Sequence, residues 1–170
     1  MENLSKILKE EARYIGLCEK WEKKWKEDIT IQELVDNYLL GIEFCLKYDF
    51  PSIETLKSHI DIVNEKNIYC DQSFDVENQK LVVLLGKSKG KITMNNAIGE
   101  IYACHESELE VCATGGSKVW INALDFSKIK IETDGNSVVY LHNYGDCCIE
   151  SSGNIQRTDK KNFYRESKKR

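Results

Sequence analysis

The chain repeats itself at a step of ten residues. Ser117-Lys-Val-Trp-Ile, Ser127-Lys-Ile-Lys-Ile and Ser137-Val-Val-Tyr-Leu start at the same phase, and Ser107-Glu-Leu-Glu-Val precedes them. The repeated apolar pairs are Leu109/Val111, Val119/Ile121, Ile129/Ile131 and Val139/Leu141, and a small residue keeps the same step at Ala103, Ala113, Ala123 and Thr133. Alternation of this kind is a strand signal. An antiparallel hairpin reverses direction at every strand, so a repeated residue does not meet its own copy. In a parallel β-solenoid each coil stacks on the last, and equivalent side chains line up about 4.8 Å apart.

The outward residues between the apolar pairs fix the coil length. They are Glu110, Trp120, Lys130, Tyr140 and, one step on, Glu150. With two strands and about 20 residues per coil, Glu110, Lys130 and Glu150 stack as alternating charges on one face, and Trp120 stacks with Tyr140 on the other. With about 30 residues per coil this complementarity disappears, which favours the flattened, two-sided coil. Residues 80 to 154 then make between three and four turns. Open solenoid ends invite edge-to-edge association, so covers are expected at both ends.

Before the repeat the apolar period is helical. Leu4, Ile7 and Leu8 begin a stripe that Ala12, Ile15 and Leu17 continue, and Trp21 and Trp25 extend it on a second short helix. In DITIQELVDNYLLGIEFCLKYDF, Thr30 and Glu33 form a capping box before one long apolar face, Pro51 ends that segment at Phe50, and Ser52 can cap a fourth helix over ETLKSHI. Both tryptophans of EKWEKKWKED are expected to dock on this helical block. The expected fold class is α+β. Residues 1–70 form a helical block that caps a short parallel β-solenoid over 71–156, and 157–170 form a basic tail that begins as a cover over the last coil.

Composition narrows the function classes. The 170 residues carry 24 Lys and Arg against 28 Asp and Glu, a formal net charge of −4, so attraction to nucleic acid or an anionic membrane must be local. Residues 157–170 hold 7 bases against 2 acids. The opening segment has neither a signal-peptide core nor a membrane-spanning run, and a cytoplasmic location is expected. Seven cysteines without a C-x-x-C pattern suggest reduced thiols, mostly buried, rather than a disulfide framework.

Chemistry-bearing clusters are few. Cys104 and His105 are adjacent, so on a strand they point to opposite faces and do not form a nucleophile–base pair. Cys112, His142 and Cys147 could meet across coils around a metal, with core filling as the plainer reading. LLGKSKGK lacks the spacing of a phosphate-binding loop and reads as a turn between coils. Interaction residues remain: the aromatic platform of Trp120 and Tyr140, Lys130 in the charge ladder, and the tail bases Arg157, Lys160, Lys161, Arg165, Lys168, Lys169 and Arg170. No cofactor and no small-molecule substrate is expected.

Two resemblances follow from these segments. The Ser/Gly-x-Val-x-Ile rhythm over residues 107–141 resembles the head-domain solenoids of some bacterial adhesins, which are generally exported. EKWEKKWKEDITIQELVDNYLLGIEFCLKYDFPS followed by a stack beginning KLVVLLGKSKGKI resembles small accessory proteins of bacteriophages and mobile elements, among them anti-CRISPR proteins acting on type VI RNA-targeting nucleases. The second resemblance implies a non-catalytic inhibitor whose partner is a host protein or ribonucleoprotein, such as a type VI nuclease with its guide RNA. The alternatives are a structural or adhesive module assembling through its solenoid ends, and a cysteine/histidine metal-binding protein.

Overall fold

The computed structural model describes residues 4–26 and 28–160, and the chain divides into two compact units, residues 1–62 and 63–170. The first unit is helical: α1 (Leu4–Ile15), α2 (Glu19–Lys24), α3 (Ile31–Leu40), α4 (Ile42–Tyr48), α5 (Ile53–Lys57) and α6 (Ile60–Glu65), the last crossing into the second unit. Thr30 closes the start of α3 with a complete capping box: its hydroxyl accepts from the Glu33 amide, and the Glu33 carboxylate accepts from the Thr30 amide. Ser52 caps α5 by accepting from the Thr55 amide. The single long helix expected over this region is instead two. Gly41 both ends α3 and starts α4, because a residue without Cβ is the weakest point in a helical run.

Leu8, Ala12, Val35, Tyr38, Ile42, Cys45 and Leu46 are buried, as the apolar stripes require. Trp25 donates its indole N–H to the buried Ser5 hydroxyl at 3.0 Å, and that hydroxyl donates to the Lys26 carbonyl at 3.1 Å. Trp21 lies under the Lys24 ammonium, 5.7 Å from the ring centre.

The second unit is a parallel β-solenoid of two sheets. Sheet A contains, in spatial order, β1 (Ile68–Cys70), β3 (Leu81–Leu85), β5 (Ile98–Ala103), β7 (Lys118–Ala123), β9 (Val138–Asn143) and β11 (Ile155–Asp159). Sheet B contains β2 (Ser73–Glu77), β4 (Lys89–Asn95), β6 (Glu108–Thr114), β8 (Lys128–Thr133) and β10 (Cys148–Ser152). Every pairing is parallel. Ile98 sits beside Lys118 and Lys118 beside Val138, a step of 20 residues, and sheet B keeps the same step from Glu108 to Lys128 to Cys148. Coils shorten at the ends: Ser73 pairs with Lys89, and Val139 with Ile155, steps of 16.

Two strands per coil give about five turns, more than the three to four expected. The additional turn lies at the beginning, where β1 falls inside the segment assigned to the helical block. At the other end β11 runs past residue 156 to Asp159, so Arg157 belongs to a strand and not to a tail.

In-register stacking makes the core a set of columns. Val119, Ile121, Ile129, Ile131, Val139 and Leu141 are at most 2 % exposed, and Ala103, Ala113 and Ala123 are fully buried between the sheets. The first coil fills this space with a stacked pair, Tyr69 on Phe74, ring centres 4.2 Å apart and 8° from parallel. Phe74 lies over Gly90, where any Cβ would strike its ring. At the last coil several inward positions become polar, while Ile149 and Ile155 still pack against the core. Ser151 follows Ile131, Arg157 follows Leu141, and Asp159 follows Asn143.

The corners explain the serine spacing. Ser88, Ser107 and Ser127 turn the chain from sheet A into sheet B, Ser117 and Ser137 turn it back, and all five are fully buried. Several corners pass through a left-handed residue: Asn78, Gly86, Asn96, His105, Gly115, Asp125 and Gly153. Asn, Asp and Gly tolerate that conformation best.

Candidate functional site

Sheet A presents an aromatic outer face. Trp120 on β7 pairs with Tyr140 on β9, and their rings stack at 5.1 Å and 16°. Glu100 occupies the same column on β5 and Gln156 on β11. The neighbouring column runs Tyr102, Asn122, His142, Thr158. Glu100 Oε1 accepts from the Tyr102 hydroxyl at 2.9 Å and from Asn122 Nδ2 at 3.1 Å, which anchors the β5 border of the face. His142 meets Tyr144 edge to face at 6.0 Å, and the Lys160 ammonium lies 5.5 Å from the Tyr144 ring centre. Burial, reinforced by Lys160, holds His142 below the ordinary imidazole range against the opposing pull of Glu100. Ile98, 66 % exposed, lines up with Lys118 and Val138 along the other border.

Sheet B presents charge in stripes. One outer column reads Asp75, Lys91, Glu110, Lys130, Glu150, and the adjacent one reads Lys89, Glu108, Lys128, Cys148. Within these two columns the charges of one strand share a sign, and the sign alternates from strand to strand. Glu108 bridges Lys89 at 3.0 Å and Lys128 at 3.3 Å, and these two partners hold its carboxyl below the usual range. Lys130 meets Glu132 at 3.3 Å, which, with Glu110 and Glu150 on the adjacent strands, raises its ammonium pKa. A shallow groove of about 490 Å³ runs between the columns over Gly90, Leu109 and Ile129. The ladder therefore neutralises itself across strands.

The interaction residues separate accordingly. Trp120 and Tyr140 share one face, Lys130 lies on the opposite one, and Arg157 and Lys160 close β11, where Arg157 pairs with Asp159 at 2.9 Å. Lys161, Arg165, Lys168, Lys169 and Arg170 lie outside the described residues. His142 and Tyr144 join the aromatic face unexpectedly. The twenty-residue step from Asn122 to His142 and from Leu124 to Tyr144 carried that signal.

The residues considered for chemistry are kept apart. Cys104 is buried, and His105 is a left-handed corner residue whose Nδ1 accepts from the Gly86 amide at 3.0 Å. Cys112 lies on the outer face of sheet B, His142 on that of sheet A, and Cys147 at a corner, where it accepts from the Ser127 hydroxyl at 3.3 Å. Among the described residues no group of three or more His, Cys, Asp and Glu side chains could hold a metal ion, and no helix is long and apolar enough to cross a membrane. All seven cysteines are free thiols, but only Cys45, Cys70 and Cys104 are buried, fewer than expected, because Cys18 and Cys148 take outward positions. Comparisons with protein families, with curated proteins and with solved structures find no match for this chain.

Proposed function

We propose that the protein is a non-catalytic binding protein that recognises a host protein or ribonucleoprotein through the outer face of sheet A. The observation that carries this reading is the stacked Trp120–Tyr140 pair, half-exposed on strands hydrogen-bonded to neighbours on both sides. Aromatic side chains dominate binding hot spots, and rings already fixed in place lose little freedom on association. His142 and Tyr144 enlarge the same surface.

The resemblance to phage accessory proteins directs the choice of partner to an RNA-guided nuclease of type VI, and the role to inhibition. The test reconstitutes such a nuclease with its guide and measures RNA cleavage as the purified protein is added. Inhibition is expected, with Trp120→Ala/Tyr140→Ala weakening it at least about thirty-fold, the scale of a hot-spot loss. Undiminished cleavage removes the nuclease as the partner, and inhibition unaffected by the double substitution removes this face.

A further inference from the structure

We propose that the outer face of sheet A around Trp120 and Tyr140 binds single-stranded RNA. The inference rests on reading that face as the recognition surface and does not depend on the nuclease. Parallel strand pairing sets the two rings almost parallel to each other along the solenoid axis, at 5.1 Å and 16°. The next rung of the column is not aromatic but Gln156, which is exposed. A nucleobase laid over Gln156 continues the stack beyond Tyr140, because every base offers a flat π-face to such a platform.

The groups around the platform suit an RNA strand. Beside it, His142 and Thr158 supply one neutral polar group per rung. Burial and Lys160 push His142 below the ordinary imidazole range and so favour its neutral form, which carries one donor and one acceptor nitrogen. These groups reach base edges and the 2′-hydroxyl, the group that separates RNA from DNA. Cations flank the strip: Lys118 on one border, and Lys160 over Tyr144 on the other. Glu100, the acid of the column, is engaged by Tyr102 and Asn122 at the far border. The uncharged Trp120, Tyr140 and Gln156 rungs, bordered by Lys118 and Lys160, match a single strand with its bases turned onto the column and its phosphates along one rim, and a duplex, whose bases are already stacked, cannot use them. The rung at Gln156, about 4.8 Å beyond Tyr140, accommodates one base on the stack.

The test uses the full chain and labelled oligouridylate RNA of about twelve nucleotides, the same sequence as DNA, and the RNA annealed to its complement, with fluorescence anisotropy recorded over a range of salt. The single RNA strand is expected to bind tightest. Trp120→Ala and Tyr140→Ala each weaken binding about ten-fold at every salt concentration and leave the salt slope unchanged. Lys118→Ala combined with Lys160→Ala flattens the slope by about 0.7 for each phosphate that is no longer neutralised. Trp120→Tyr, which keeps the stack, retains binding and guards against loss of fold as the cause. Equal binding of duplex or of DNA, or Trp120→Ala and Tyr140→Ala binding like the parent, overturns the assignment. Absence of RNA binding by a protein that still inhibits its partner overturns the RNA site and leaves the recognition face. RNA binding without inhibition of the nuclease removes the nuclease as the partner and leaves the RNA site on this face.

Discussion

The recurrent serine is a corner residue, and its hydroxyl is used differently at each corner. Ser137 Oγ accepts from two amides of the preceding coil, Gly116 at 3.2 Å and Ser117 at 3.0 Å. Ser117 Oγ accepts from Ala97 at 3.1 Å while donating to the Thr114 carbonyl at 2.7 Å. Ser107 is equally buried, yet among the described residues its hydroxyl has no partner. A buried donor or acceptor stripped of its partner costs about 1–3 kcal/mol, whereas deleting an unpartnered hydroxyl costs nothing. Ser137→Ala is therefore expected to lower unfolding free energy by about 1–3 kcal/mol in urea titration, and Ser107→Ala to leave it unchanged or raise it slightly. Equal losses at the two positions would show that serine serves there only as a small filler. Cys147, at the fourth place of the Ser88–Ser107–Ser127 line, keeps the small size and still takes a hydrogen bond from Ser127. Small size is thus common to these corners of the later coils, whereas the first coil has Gln72 at that place, and the hydrogen bond is particular to some.

At the scale of strands, sheet B is held along its outer face by charge alternation between neighbours. The Lys89–Glu108–Lys128 bridge spans β4, β6 and β8. All three side chains are well exposed, so the individual ion pairs are weak and screened by salt. Their signature is the pH dependence. Glu108 is held below its ordinary value of 4.5, so its contribution is fully present above that pH and is lost as pH falls through the lower, folded-state value. Glu108→Gln should consequently lower the melting temperature at neutral pH and low salt, and the gap from the parent should close in acid and in high salt. A gap that persists in acid below the folded-state value of Glu108, where its carboxyl is protonated in both states, would mean that the side chain acts by packing and not by charge. The alternation was legible in Glu110, Lys130 and Glu150 because the twenty-residue step carries like positions onto one another. The first coil was not legible: its strands IYC and SFDVE step by 15 and 16 residues to their partners, which shifts them out of the ten-residue phase and removes the serine. Gly41 was equally hidden, since one glycine within a continuous apolar stripe does not interrupt the periodicity that identifies a helix.

Over the whole chain, what the repeat discloses is the middle of the solenoid, and what it conceals are the ends, because terminal coils of a stack must differ from the coils they protect. Trp120 and Tyr140 could be placed on one face from their spacing alone, whereas Arg157 reads as part of a basic run although it closes a column of Ile101, Ile121 and Leu141. Its guanidinium is half-exposed and bidentate on Asp159. A charged pair at that place interrupts the apolar stripe that Ile155 begins, which is how natural sheets blunt their edges. This argues against docking of another solenoid on the β11 end and makes a specific prediction. Arg157→Leu with Asp159→Val makes the inward positions of the last strand apolar, so the variant should associate with rising concentration in sedimentation or gel filtration, while the parent stays at one size. Lys130→Phe, on the self-neutralised outer face of sheet B, serves as the control for added apolar surface alone. If the end variant associates no more than that control, the ion pair on β11 is incidental, and what keeps one solenoid from extending another must lie elsewhere in the chain.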